Sequence, residues 1–333
     1  MEHNICLIGK GTVGSSLLEL LIHKEDEIRS KYGIEYKVVG IFEFDGALIE
    51  KEGLNLKEIT DLGENFRQSS IWMPKTKPHD IISQIDIDII IETTPTNSET
   101  GEPALSTIVE ALNNKINVVA SNKGPFYLEY QKIKDLAKKN GCQVRYEGTV
   151  ASCVPVLSTK EGLLGNTITS IKAILNGTCN YILSRMSSEG VQFAIALKEA
   201  QELGYAEADP TLDIEGYDAA GKLVIIANEL LGWSKTIKDV DIKGITNITV
   251  KSIELAKSEG YVIKHLAIAE NQKLIVEPRL VEMNNPLNIS GTLNVIELQT
   301  KYAGPIILMG RGAGGFEAAS AILNDMISIS LKM

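Results

Sequence analysis

Residues 204–222 read GYAEADPTLDIEGYDAAGK and bring Glu207, Asp209, Asp213, Asp218 and Lys222 close together along the chain. Acids at this density rarely build a core. Carboxylates in a pocket hold a small cationic group, and a lysine ammonium beside them gives or takes a proton. Asp218 and Lys222 stand four residues apart, on one face of a helix. The functional reading is a carboxylate that orients an ammonium in a cleft. The plain alternative is a surface ion pair, contributing only about a few tenths of a kcal/mol. A calcium loop does not fit: Pro210 follows Asp209, and the sixth position counted from Asp209 is Ile214, not glycine.

A second set lies at the N-terminus. Gly9-Lys10-Gly11-Thr12-Val13-Gly14 matches GxGxxG in full and follows the apolar run Ile5-Cys6-Leu7-Ile8. Gly9 permits a tight turn, Gly11 lets backbone N–H groups approach a pyrophosphate, and Gly14 lets a helix pack close to a strand. The helix start, with Thr12 and Val13, adds partial positive charge, which matters in an acidic chain. The expected partner is an acid at the end of the next strand. Glu43 fills that place: it would accept hydrogen bonds from adenosine ribose hydroxyls and repel a 2′-phosphate. Phe44 stands where an arginine would favour NADP, so the pattern leans to NAD. The alternative for Glu43 is a solvent-facing loop acid.

These residues need a frame. Apolar runs at 5–8, 36–42, 88–92, 116–120 and 142–146 alternate with helical patterns at 12–28, 103–113 and 126–139. That predicts a Rossmann-like parallel sheet with helices on both faces. Ligands of such sheets lie beyond the carboxyl ends of the strands. Thr93, Thr94, Ser121 and Lys123 occupy those loops and are candidates for the nicotinamide end, Lys123 also for substrate contact or proton transfer. From about residue 150 the pattern changes. A strand at 167–175, helices at 181–187, 193–203 and 217–230, and a hairpin pairing 261–269 with 274–281 predict a mixed α+β domain. The expected division is 1–149 for the dinucleotide and 150–303 for substrate and dimerisation, packed closely around a cleft. Residues 304–333 are expected to fold back onto the first part. Within them Gly310-x-Gly312-x-Gly314-Gly315 is either a cleft-lining segment or a tight strand-to-helix turn.

Composition narrows the class. The 333 residues carry a net charge of −10 with no basic stripe, which argues against nucleic acid. No apolar run reaches membrane-spanning length and no secretion signal precedes the first strand, so a cytoplasmic protein is expected. The four cysteines share no CxxC spacing, so neither a zinc site nor disulfides are expected.

Taken together, the chain resembles the homoserine dehydrogenases. The glycine turn, Ser121-Asn122-Lys123-Gly124-Pro125, Glu147-Gly148-Thr149-Val150, residues 174–183 (ILNGTCNYIL) and residues 204–222 occur in the family's order. The resemblance implies reversible NAD(P)-dependent interconversion of L-homoserine and L-aspartate 4-semialdehyde, in threonine, methionine and isoleucine biosynthesis. Lys222 would carry the proton at the reacting oxygen, with Lys123 near it. Asp218 and Asp213 would hold substrate and lysine. Glu207 would receive the substrate ammonium, and Gly177 and Thr178 its carboxylate. The family's monovalent cation, Na+ or K+, falls on Glu147, Val150 and Ser152, although Ala151-Ser152-Cys153 replaces a glycine-rich run. A homodimer through the second domain's sheet is implied; the apolar strands at Leu266–Ile268 and Leu274–Val276 are consistent with that and equally with an internal core. The chain stops at Met333, so the regulatory domain and the fused kinase of longer members are not expected. The rival readings are a related dehydrogenase of another small amino or hydroxy acid and a cofactor-binding sensor without chemistry; intact Glu207 and Thr178 count against the first, intact Lys222 and Asp218 against the second.

Overall fold

The computed structural model describes all 333 residues, with β1 (Glu2–Ile8) running into Gly9-Lys10-Gly11 and then α1 (Thr12–Tyr32). β2 (Glu35–Glu43), β3 (Gly46–Ile49), α2 (Leu56–Asp61), β4 (Trp72–Pro74) and α3 (Pro78–Ile81) follow. Then come β5 (Ile89–Glu92), α4 (Ala104–Asn113), β6 (Asn117–Ala120), α5 (Gly124–Leu128), α6 (Tyr130–Asn140) and β7 (Val144–Arg145). The sheet order is β4-β3-β2-β1-β5-β6-β7. β2, β1, β5, β6 and β7 run parallel, while β3 and β4 add an antiparallel edge. Strand order reverses between β1 and β5, and a sheet of this kind opens its ligand crevice at that switch point. Ile5, Leu7, Ile41, Ile89 and Ile91 pack in one core with Leu17 and Leu21 of α1.

The second unit holds α7 (Thr159–Gly162), β8 (Ile168–Ile174), α8 (Gly177–Glu189), α9 (Phe193–Glu202), α10 (Thr211–Ile214) and α11 (Tyr217–Leu231). β9 (Val240–Ile242), α12 (Val250–Ser258), β10 (Tyr261–Glu270), β11 (Lys273–Glu282), β12 (Leu293–Thr300) and β13 (Gly304–Arg311) complete it. Its sheet order is β13-β12-β8-β10-β11-β9. The β10–β11 hairpin turns on Asn271 and Gln272, both at positive φ, as a two-residue turn matched to strand twist requires. The last helix, α13 (Gly315–Ser330), belongs to the first unit. The units are Met1–Cys153 with Gly314–Met333, and Val154–Ala313.

Several elements depart from the sequence pattern. The helix expected over 126–139 is two, because Glu129 leaves helical geometry at φ −132°. The 142–146 strand shortens to Val144–Arg145. β3, β4, β9 and β12 carry too few alternating apolar residues to stand out in the sequence. Residues 304–333 do not fold back as one piece. β13 pairs along its length with β12 in the second sheet, and that ladder holds 304–311 there. Only α13 joins the first unit, where it packs on α1. A Cβ on Gly315 would come within 2.7 Å of Ser16 Oγ and 2.9 Å of Thr12 Cγ2, so this last glycine of the run serves the packing of α13 on α1.

Candidate active site

In the first unit, Gly9 turns at φ +95° and donates its N–H to Phe42 O at 2.8 Å. Thr93 Oγ1 donates to Gly9 O at 2.7 Å, tying the glycine turn to the end of β5. A Cβ on Gly14 would sit 2.1 Å from Gly9 O, so α1 can start here only with glycine at that position. Around Gly11 nothing lies within 4 Å of a built Cβ. Gly11 caps α1 without a side-chain bond, and no acid stands in the first turn with Thr12 and Val13. Free first-turn N–H groups beside open space are able to receive an anion.

Glu43 ends β2 and accepts the Lys10 backbone N–H through Oε1. Arg67, from a distant segment, stands 3.7 Å from Glu43 Oε2, bonds both oxygens of Asp45 at 2.9 and 3.2 Å, and lies 4.6 Å from the Phe66 ring centroid. Lys10 Nζ sits 4.8 Å from the centre of the same ring, and burial pushes its ammonium below the usual lysine range. Phe44 is exposed. Arg67 lies far from Glu43 along the chain, and only the fold brings the two together.

The loops after β5 and β6 share one network. Glu92 is fully buried; its Oε1 accepts the Thr94 N–H at 2.8 Å and the Thr94 hydroxyl. Its Oε2 has no partner, and burial pushes the carboxyl up to about 7. Asn122 Nδ2 reaches Thr94 Oγ1 at 3.1 Å and Pro95 O at 3.2 Å, and its Oδ1 accepts the Gly124 N–H at 3.0 Å. The half-buried Lys123 is fixed between Asn122 and Gly124. Ser121 donates its N–H to Glu92 O at 3.0 Å. The network thus brings Thr93, Thr94, Ser121 and Lys123 onto neighbouring strand ends.

In the second unit the acidic segment folds around a lysine. Gly216 at φ +91° starts α11; a Cβ there would lie 3.0 Å from His265 Cε1, so glycine is required. Lys222 is 8% exposed, and its Nζ meets Asp218 Oδ2 at 2.7 Å and Leu175 O at 2.8 Å. An ammonium has three N–H donors, so one remains for an incoming oxygen. Asn294 is buried at 1% and donates to the same Leu175 carbonyl at 3.1 Å. Asn294 sits in β12, whose polar residues hide the strand in the sequence.

Asn176 caps α8, accepting the Cys179 N–H at 2.9 Å, while its Nδ2 bonds Asp213 Oδ1 at 2.6 Å and Asp218 Oδ2 at 3.0 Å. Thr178 Oγ1 lies 2.6 Å from Tyr205 O and 3.2 Å from Asp213 Oδ2. Burial and the nearby Asp218 charge push the Asp213 carboxyl up, against Asn176, Lys222 and Thr178. Asp213, Asp218, Thr178 and Lys222 are therefore one cluster, with Gly177 at the adjoining helix start. Glu207 is exposed and its carboxylate makes no bond, so it does not join the cluster. Asp209 Oδ1 accepts the N–H of Thr211, the first residue of α10, at 3.1 Å and its hydroxyl at 2.6 Å.

At the end of the first unit Glu147 is 4% exposed, and its N–H donates to Asp325 Oδ2 at 2.8 Å. Val150 and Ser152 are buried beside it, and Ser152 takes φ +51°. The left-handed turn that a glycine would provide thus survives in a run without one.

A GxGxxG turn at a Rossmann switch point, together with a buried lysine–aspartate pair in a mixed second domain, defines an NAD(P)-dependent dehydrogenase. Residues 154–327 match the family model for homoserine dehydrogenase, and residues 9–147 match the model for the homoserine dehydrogenase NAD binding domain. The chain is 45% identical over 330 residues to a homoserine dehydrogenase of Methanocaldococcus jannaschii, covering 98% of each. It is 36% identical to an NAD(+)-dependent homoserine dehydrogenase of Pseudomonas canavaninivorans, covering 98% of this chain and 96% of the relative. A crystal structure from Archaeoglobus fulgidus, described as a candidate homoserine dehydrogenase, superposes with TM-score 0.90 at 41% identity, covering 98% and 99%. A hyperthermophilic archaeal homoserine dehydrogenase in complex with NADPH superposes at 0.87 with 28% identity, covering 100% and 99%. The chain belongs to the homoserine dehydrogenase family. Its reaction is the NAD(P)-dependent interconversion of L-homoserine and L-aspartate 4-semialdehyde. No helix is long and apolar enough to cross a membrane.

The buried Glu92 makes stability depend on pH. Its folded pKa, about 7, lies above the unfolded value, so its contribution is full below about pH 4 and is lost as pH rises through 7. Urea midpoints of the wild type are expected to fall between pH 5.5 and 8.5, and Glu92→Gln should flatten that slope; parallel slopes would refute the assignment.

Proposed function

We propose that Lys222 is the proton carrier at the reacting oxygen. The observation that carries this is its buried ammonium, fixed by Asp218 and Leu175 O with one N–H unspent. When bound, the nicotinamide supplies the hydride to the aldehyde carbon or removes it from the alcohol. In reduction, Lys222 gives its proton to the oxygen as negative charge develops there; in oxidation it takes that proton from the alcohol. Asp218 orients the ammonium, and Asp213 acts through Asn176. Gly177 and Thr178, at the N-terminus of α8, offer N–H groups to the substrate carboxylate. Glu207, whose carboxylate makes no bond, receives the substrate ammonium. Lys123 is the second cation for the substrate oxygen, supported by its place after β6.

For the cofactor, Gly9, Gly11, Thr12, Val13 and Gly14 take the pyrophosphate, and Thr93, Thr94, Ser121 and Lys123 line the nicotinamide end. Glu43 favours NAD through the adenosine ribose. Arg67 and Lys10 stand close enough that removing the carboxylate would leave both cations for a 2′-phosphate.

Glu147 with the Val150 and Ser152 carbonyls suits an alkali ion, since one carboxylate with carbonyl oxygens is a hard-donor set. The buried Glu147 and the retained turn at Ser152 support this reading, and potassium or sodium should raise turnover of the wild type more than of Glu147→Gln. A homodimer is supported by one face of the second sheet. Ile307 and Met309 of β13 are 39% and 58% exposed, and further across the same sheet an open depression of about 570 Å³ is lined by Leu266, Ile268 and Ile275. Leu274 and Val276 are buried, which agrees with the internal-core alternative for that strand. Sedimentation of Met309→Glu should show monomers where the wild type shows dimers.

Lys222→Ala is expected to lower kcat by at least about a hundredfold with little change in cofactor affinity. Substantial residual turnover would move proton transfer elsewhere, Lys123 first. Glu43→Ala should weaken NAD and strengthen NADP; an unchanged ratio of kcat/KM for the two would sink the ribose assignment.

A further inference from the structure

Lys264, on β10, is a buried lysine that the dehydrogenase reaction does not use. It is 3% exposed. Its ammonium donates to Asn180 Oδ1 at 3.2 Å and to Ile289 O, both neutral acceptors, and no carboxylate reaches it. Burial, with no charged partner opposing it, pushes the group down to about 8. An uncompensated buried charge is costly, so such a site holds either a neutral amine or a counter-ion.

The surroundings favour a counter-ion. Lys264 lines a cavity of about 290 Å³ between α8, β10, the end of α12 and the segment after β11. Ser184, Ser187, Lys257, Asn288 and Ser290 line it as well. No aspartate or glutamate does, in a chain with 43 of them. Ser184 Oγ is buried without a partner, which leaves one hydroxyl donor unspent. Lys257 adds a second cation, its Nζ held by Ser187 O at 2.9 Å.

We propose that this cavity is a binding site for a small oxyanion, a carboxylate or a phosphate, ion-paired to Lys264 and hydrogen-bonded by Ser184. The cavity sits at the lower end of ligand-pocket sizes, which suits a few heavy atoms and excludes a nucleotide. It is separate from the Lys222 cluster but shares α8 with it. Gly177 opens that helix against Thr292 O, where a Cβ would come within 2.8 Å, and Ser290 of the cavity lies two residues before Thr292. The proposal stands independently of the roles assigned to Lys222 and Glu207.

Calorimetric titration of the whole protein with inorganic phosphate and, separately, with acetate tests it. At least one is expected to bind the wild type at pH 7 with a millimolar or lower Kd, and the tighter of the two names the source. Lys264→Met should weaken that binding at least about tenfold, Lys264→Arg should retain it, and Ser184→Ala should weaken it several-fold. In the wild type alone, affinity should fall by more than about tenfold from pH 7 to pH 9.5, as the ammonium deprotonates. No binding of either anion, an affinity that Lys264→Met leaves unchanged (phosphate then resting on the glycine turn), or a flat pH response would each overturn the proposal.

Discussion

The active-site half of the second domain is organised around one buried ammonium. Lys222 is buried, and a buried cation must be paired and hydrogen-bonded or it loses its proton. Asp218 supplies the charge and Leu175 O the second acceptor. Those partners come from different elements, which sets the fold around them. α11 must start close to β10, which is why Gly216 has no room for a side chain. β8 must end before Leu175 so that the Leu175 carbonyl points to the lysine rather than into a ladder. Asn176 then caps α8 and bonds both aspartates, so the helix that presents Gly177 and Thr178 is anchored by the residues that hold Lys222.

The first domain solves an opposite problem. The chain is acidic overall, yet it must receive a dianionic pyrophosphate. No basic patch does this. Uncapped N–H groups at the start of α1, with empty space around Gly11, provide local positive potential without added lysines. Thr93 locks the turn from the neighbouring strand, and the Glu92–Thr94–Asn122–Gly124 chain fixes the next two loops. Glu92 is a costly element of that chain, a buried carboxyl with one oxygen unpartnered, and it accounts for the pH dependence expected of this fold.

Much of this was legible in residue order. Sheet and helix alternation over the first 150 residues follows from hydrophobic period, and the lysine–aspartate pair from helical spacing. The glycine turn was recognisable because each of its positions has a separate steric cause. Other features were hidden for equally physical reasons. β12 mixes Asn294, Glu297 and Gln299 into its run and does not read as a strand. With that strand unread, Asn294 could not be placed beside Leu175, nor 304–311 in the second sheet. Ser152 shows the converse: its residue type predicted the loss of a glycine turn, and its backbone keeps that turn.

The residue types and their spacing by themselves set out local patterns: a glycine turn after a strand, an acid at the second strand end, and a lysine with an aspartate one helical turn away. These are local, and local geometry is set by backbone sterics and helical period. Which distant groups complete each site was decided only by tertiary structure. Arg67 beside Glu43, Asn294 and Lys222 sharing the Leu175 carbonyl, and Lys264 lining a cavity with serines and no acid all depend on contacts between segments far apart in the chain. Burial and charge pairing act through space, and residue order carries no signal for either until the sheets are assembled.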